Sequence, residues 1–199
     1  AGGYRFLQAR EAALLGRPQG GKRSGRFRIG IPRALTTYGY LPLWRTFFES
    51  LGCEVVLSPP TSGDTLSKGE ELVSTELCAP ILAALGHAAQ QVEGDVDFVF
   101  FPHTIRERCP AGYTNAYFCC YVQACPSILR NLEELKDLCS RKLLAPVVDY
   151  TDFRVLAEGV HRELGPKLGF SLRRIRKAVG EGVQALVRFQ EEAFSLGRK

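Results

Sequence analysis

Two rhythms of apolar and polar positions alternate along the chain. Residues 4–15 (YRFLQAREAALL) read as a helix, and GRPQGGKRSG after them, rich in Gly, Pro and charge, predicts a linker over residues 16–25. From residue 26 the rhythm becomes strand, helix, strand, helix. FRIGI is a short strand of the buried type. LPLWRTFFESLG carries apolar residues at helical spacing and ends on Gly52, a natural C-terminal cap. CEVVLS predicts the second strand. After a Pro/Ser/Gly turn, residues 75–92 predict a long helix and DVDFVFFP a third strand. Residues 127–139 read as a helix, LLAPVVDY as a fourth strand, and the tail as two helices near 152–164 and 171–196.

Strands alternating with helices predict an α/β fold. The expectation is an open, mainly parallel sheet with helices on both faces, a three-layer αβα arrangement, plus C-terminal helices. An N-terminal helix and linker would occupy residues 1–25 and a single α/β domain residues 26–199. No internal repeat or low-complexity tract interrupts it. In such sheets the ligand crevice lies beyond the carboxyl ends of the strands. There strand one runs into Pro32-Arg33-Ala34, strand two into Ser58-Pro59-Pro60 and strand three into Pro102-His103-Thr104.

Composition narrows the class without naming a function. The chain of 199 residues is 45% hydrophobic and 24% charged, ordinary values for a globular protein. No apolar run approaches the roughly 20 residues of a membrane helix, so no membrane partner is expected. The chain has no methionine, and the missing initiator suggests a piece of a longer protein or a processed start. The net charge of +5 is concentrated partly in Arg173-Arg174-Ile175-Arg176-Lys177. No stacking aromatics are interleaved with that run, so it reads as a solvated helix face and no nucleic-acid partner is expected. Seven cysteines without a secretory signal point to a reducing, cytoplasmic setting in which thiols stay free or bind metal.

Candidate chemistry centres on the thiols. Cys78, in STELCAP, precedes a proline suited to a first helical turn. A thiol there feels the positive end of the helix dipole and becomes a better ligand or nucleophile; the plain alternative is a small buried apolar residue. His103 follows an apolar strand, where it could ligate metal, act as an acid/base, or simply satisfy a hydrogen bond. Cys109 falls in a loop. Cys119 and Cys120 are adjacent in a possible strand, which would send their side chains to opposite faces, and Cys125 precedes Pro126, expected to open the next helix. None of these spacings is CxxC. Cys53 and Cys139 look structural. Gly16, Gly21 and Lys22 satisfy part of a phosphate-loop pattern, but Arg23 replaces the magnesium-binding Ser or Thr and the strand follows instead of preceding, so that reading is rejected. Glu133-Glu134 read as solvated.

The order of motifs IGIPRAL, WRTFFESLGCEVVLSPPTS, KGEELVSTELCAP with Gly86-His87, DFVFFP, NAYFCC, CPSILRN and GFSLRRIRKAVGEGVQALVRFQEEA resembles the dehydratase-like domain of acyl-CoA dehydratase activase-related proteins. These belong to the 2-hydroxyacyl-CoA dehydratase and benzoyl-CoA reductase group. The resemblance implies an α/β lobe whose cysteines hold a 4Fe–4S cluster, fed with electrons by an ATP-hydrolysing activase. ATP would bind only on that separate activase domain. The implied partners are the activase domain or subunit and neighbouring dehydratase-like domains, and an acyl-CoA is the implied substrate class. By motif, Cys78 matches the first cluster cysteine and Cys119 the third. His103 stands where the second cysteine usually does, Cys120 replaces a proline, and Cys109 or Cys125 are candidate substitute ligands. Leu82 and Leu85 stand where the family often carries Lys and His. The alternative implied by these departures is a docking or structural domain that has lost its cluster.

Overall fold

The structure, a computed structural model, describes residues 2–15, 25–109, 113 and 115–198. The predicted linker and the rejected phosphate-loop pattern lie, residue 25 apart, outside the described residues. The elements are α1 (Gly2–Leu15), β1 (Arg28–Ile31), α2 (Thr37–Ser50), β2 (Glu54–Leu57), α3 (Gly63–Glu71), α4 (Ala79–Glu93), β3 (Phe98–Phe100), β4 (His103–Arg106), α5 (Cys120–Arg130), α6 (Lys136–Lys142), β5 (Leu143–Leu144), β6 (Val147–Asp149), α7 (Phe153–Leu168) and α8 (Leu172–Gly197).

Four strands form a parallel sheet in the order β2-β1-β3-β5. The chain winds outward from β1 to β2, then returns across β1 to reach β3. Winding therefore reverses between β1 and β3, where the loops leaving two neighbouring strands part to opposite faces. Side-chain alternation along the strands separates two cores. Ile29, Ile31, Phe100 and Leu144 join the core under α1, α2, α7 and α8, whereas Val99, Phe101, Leu143 and Ala145 join the one under α4, α5 and α6. This is the three-layer αβα arrangement that the alternating pattern predicts.

The fourth strand is broken in two. Phe100 pairs with Leu144 and His103 with Val147, so the offset is 44 on both sides of the break (144 − 100 and 147 − 103). Pro102 and Pro146 occupy the gap. Neither has an N–H to give the ladder, and the sheet resumes as the parallel pair β4–β6 in unchanged register, helped by the His103 N–H bonding the Pro146 carbonyl at 2.9 Å. His103 is thus the first ladder residue after the break and half-buried, not exposed at a free strand end.

Two further expectations are corrected. The possible strand around Cys119 and Cys120 is a loop and the start of α5, and Pro126 lies inside that helix instead of opening it. Aromatic and apolar YFCCYV has strand-like composition, but Val122, Cys125 and Leu129 recur at helical spacing and pack toward α4. The Pro/Ser/Gly turn before residue 75 contains helix α3. Its start is marked by Ser62, whose hydroxyl accepts from the Thr65 N–H at 3.3 Å in a reciprocal capping box.

Helix α1 lies on the sheet's α2/α8 side. Leu14 is buried there, and Arg10 donates to the Tyr38 carbonyl at 3.2 Å. The basic run of α8 is a solvated face: Arg176 pairs with Glu158 at 2.8 Å, Lys177 with Glu181 at 3.7 Å, and Ile175 alone of the five turns inward. Among the described residues no helix is long and apolar enough to cross a membrane.

Candidate functional site

The crevice at the β1/β3 reversal is nearly filled. Ile31, Ala34, Thr36, Phe100, Thr104 and Val122 line a cavity of about 10 Å³, room for about one water. Its floor is tied by a buried polar chain. Trp44 Nε1–H donates to the Tyr150 hydroxyl at 2.9 Å, Tyr150 reaches Thr104, and Thr104 meets Thr36 at 3.3 Å. Tyr40 stacks on Tyr150 with ring centroids 3.6 Å apart and donates its hydroxyl to Glu107. This point of the fold is packed shut.

The polar ends of β1 and β2 meet on His87. The ring is buried on α4, with Nδ1 2.9 Å from Ser58 Oγ and Nε2 2.9 Å from Thr61 Oγ1, and Ser58 Oγ also accepts the Arg33 N–H at 2.8 Å. Both ring nitrogens are therefore occupied by hydroxyls. Burial, with the Arg33 guanidinium nearby, holds the imidazole below its ordinary pKa. A histidine whose folded pKa is depressed binds fewer protons folded than unfolded. Its contribution is complete above the unfolded value of about 6.5 and declines as pH falls below it. Denaturant titrations at about pH 7.5 and about pH 5.5 are expected to show lower stability at the acid end, and His87→Gln is expected to reduce that difference. An equal pH difference in the variant would refute this role. His87 is thus a structural joint, and its partners Ser58 and Thr61 went unassigned because hydroxyls near strand ends carry no distinctive pattern.

The thiols divide sharply by environment. Cys53, Cys125 and Cys139 are buried. Burial pushes the Cys53 thiol up to about 11 and Cys125 up to about 12. Cys139 packs its sulfur 3.8 Å from the Leu129 carbonyl. Cys53 and Cys139 are structural, as expected, and Cys125 is too deeply set to offer a thiolate. Cys109 is half-buried in the loop leaving β4.

Cys78, Cys119 and Cys120 are exposed. Cys78 is the N-cap of α4, with Pro80 in the first turn as the sequence suggests, and Cys119 is the N-cap of α5. The Tyr121 and Val122 N–H groups point at the Cys119 sulfur and, with the Cys120 side chain, hold its thiol below the ordinary range, although neither contact has full capping geometry. The packing of α4 on α5 brings Cys78 close enough to Cys125 for their charges to interact. That interaction joins Cys78 to the second turn of α5, not to Cys119 at its start.

His103 faces the same helix. Its Nδ1 lies 2.7 Å from the Gln123 carbonyl oxygen. A carbonyl only accepts, so Nδ1 is the donor in this bond. A ligating histidine is typically held in this way by its other nitrogen. His103 also lines a shallow open cleft of about 430 Å³ with Ile105, Cys120, Gln123 and Val147. From the sequence, Cys120 stands beside Cys119 in a possible strand, at a usual proline position, with no ligand role assigned to it. The i, i+3, i+4, i+7 spacing of Cys120, Gln123, Ala124 and Ser127, all lining this cleft, is the signal that places it there.

Among the described residues no three of His, Cys, Asp and Glu converge on one point as ligands of a single ion. A cluster makes a different demand, since each ligand binds its own iron at a separate corner. Cys78 and Cys119 are accessible thiols at helix N-caps and His103 is held by the Gln123 carbonyl, and the described residues do not bring the three together as a metal-binding group.

The described residues thus form a parallel αβα sheet closed at its winding reversal, with exposed thiols at the starts of α4 and α5. The profile of the family described as CoA enzyme activase uncharacterised domain matches residues 28–199, and the chain belongs to that family. This agrees with the activase-related resemblance read from the motifs. No curated protein and no solved structure matches the chain at a significant level.

Proposed function

We propose that this lobe holds an iron–sulfur cluster and passes electrons within an activase-linked acyl-CoA dehydratase-like system, with Cys78 and Cys119 as thiolate ligands and His103 as a nitrogen ligand. The observation that carries the reading is the placement of two accessible thiols at the N-caps of α4 and α5, helices that pack on each other. When bound, such a cluster supplies a one-electron carrier whose potential its ligands and their hydrogen bonds set. The chain's own part is to keep the ligands ready. The Tyr121 and Val122 N–H groups favour the Cys119 anion, and the Gln123 carbonyl orients the His103 ring. ATP hydrolysis belongs to a separate activase domain, and the acyl-CoA to the assembled system, since the winding-reversal crevice here is too small for one.

The test is anaerobic reconstitution of the whole chain with iron and sulfide. A broad visible charge-transfer absorption is expected, lost for the most part in Cys78→Ala and in Cys119→Ala. Full iron uptake by both variants would refute the ligand assignment. The closed crevice and the exposed Tyr117 and Tyr121 favour a second reading, a docking lobe without a cluster. That reading requires a chain that stays colourless after reconstitution yet still binds its activase.

A further inference from the structure

We propose that Arg33 anchors an anion site at the carboxyl end of β1, and that Glu11 of α1 sits on it as a built-in competitor. The ligand class is a small oxyanion, a phosphate or carboxylate group. The site shares no residue with the proposed cluster ligands.

Arg33 is a buried cation with half a partner. Its side chain is 13% exposed, and its one ion pair among the described residues is to Glu11, which is 53% exposed. The Arg33 Nη2 donates to Glu11 Oε1 at 3.2 Å, while Nε–H is buried with no hydrogen-bond partner. Nε–H and one N–H of Nη2 point the same way and form a single edge of the planar fork. That edge accepts a two-oxygen anion side-on, and Glu11 fills one of its two positions. Orphaned buried donors are rare in folded proteins, and a bound ion is one arrangement that resolves them.

The surroundings hold the fork in place. The Arg33 N–H donates to Ser58 Oγ at 2.8 Å, which pins the turn leaving β1. Ligands of parallel sheets of this kind bind beyond the carboxyl ends of the strands. Exchange of Glu11 for a ligand does not require α1 to leave. Leu14 is buried and Arg10 bonds the Tyr38 carbonyl, so only the exposed Glu11 side chain has to turn to solvent.

The test follows the Arg33 Nε–H signal of the full chain by nitrogen–proton magnetic resonance, assigned by its loss in Arg33→Lys. Inorganic phosphate and acetate are titrated separately, with chloride holding the ionic strength constant. Each is expected to shift the signal saturably. Glu11→Gln is expected to tighten that binding about two- to fivefold, the share of a part-exposed ion pair. Tighter binding of phosphate assigns the phosphate class, and tighter binding of acetate the carboxylate class. Arg33→Lys keeps the charge but loses the fork, so its Ser58 backbone N–H signal is expected to lose the saturable shift seen in the wild type. Three results overturn the proposal: no saturable shift with either anion in Glu11→Gln, an affinity that Glu11→Gln leaves unchanged, or wild-type binding by Arg33→Lys. Should Arg33→Lys fail to fold, the Glu11→Gln comparison decides alone.

Discussion

Replacing Trp44 by alanine is expected to destabilise the fold by about 3–5 kcal/mol, the range for truncating a buried aromatic. Trp44 is 3% exposed. Its ring meets Phe47 and Phe100 with centroids 5.6 and 4.5 Å away, and its indole N–H donates to Tyr150. Truncation removes the ring from the α2 side of the sheet and takes away the donor to the buried Tyr150 hydroxyl. For a domain of this size, the loss lowers the melting temperature by about 6–20 °C. Because Trp44 also lines the crevice at the winding reversal, its removal is expected to open that closed point to a small apolar probe such as xenon. Thermal unfolding checks the first outcome. A loss under about 1 kcal/mol would mean that the site collapses without penalty and that the aromatic chain is not what closes the crevice.

The second large effect is expected at Gly86. A Cβ built there would sit 2.0 Å from the Thr65 carbonyl oxygen, and one on Gly69 would sit 2.0 Å from the Leu82 carbonyl oxygen. Helices α3 and α4 thus interlock through one glycine each. Alanine would ordinarily gain about 0.5–1 kcal/mol over glycine inside a helix. The clash reverses that sign, because α3 must shift by more than 1 Å before the contact reaches the ordinary 3.4–4 Å. Overpacking costs about 1–3 kcal/mol, sometimes more, so Gly86→Ala is expected to be a net loss. His87 is the next residue on α4, and its partner Thr61 immediately precedes the α3 cap Ser62. The same variant is therefore expected to blunt the acid sensitivity assigned to His87. A rise in the denaturant midpoint would show instead that the two helices separate easily.

The layered fold was legible because sheet strands covered by helices leave short apolar runs, and FRIGI, CEVVLS and DVDFVFFP are such runs. What escaped the pattern has physical causes. YFCCYV is composed like a strand, yet its apolar period continues through Val122, Cys125 and Leu129, and tertiary packing on α4 decides the matter. Pro126 costs one helical hydrogen bond but remains buried within α5. LLAPVVDY reads as one strand and resumes in the same register after the break, but Pro146 divides its hydrogen bonding into two ladders and the register slips by one residue at Asp149. In the candidate site, the roles of Cys53 and Cys139 could be read locally, as could the cap position of Cys78. The Nδ1 hydrogen bond of His103 could not, because it depends on a carbonyl 20 residues away. Nor could the cleft shared by His103 and Cys120, which exists only once α5 lies against β4.

The proposed assignment of iron to Cys78 and Cys119 meets its most direct test in a count of iron and acid-labile sulfide per chain after anaerobic reconstitution, compared with the double variant Cys78→Ser/Cys119→Ser. The account predicts four of each in the wild type, as a 4Fe–4S cluster requires, and close to none in the variant. Iron and sulfide absent from a folded wild-type chain, or equal in the two proteins, would contradict it.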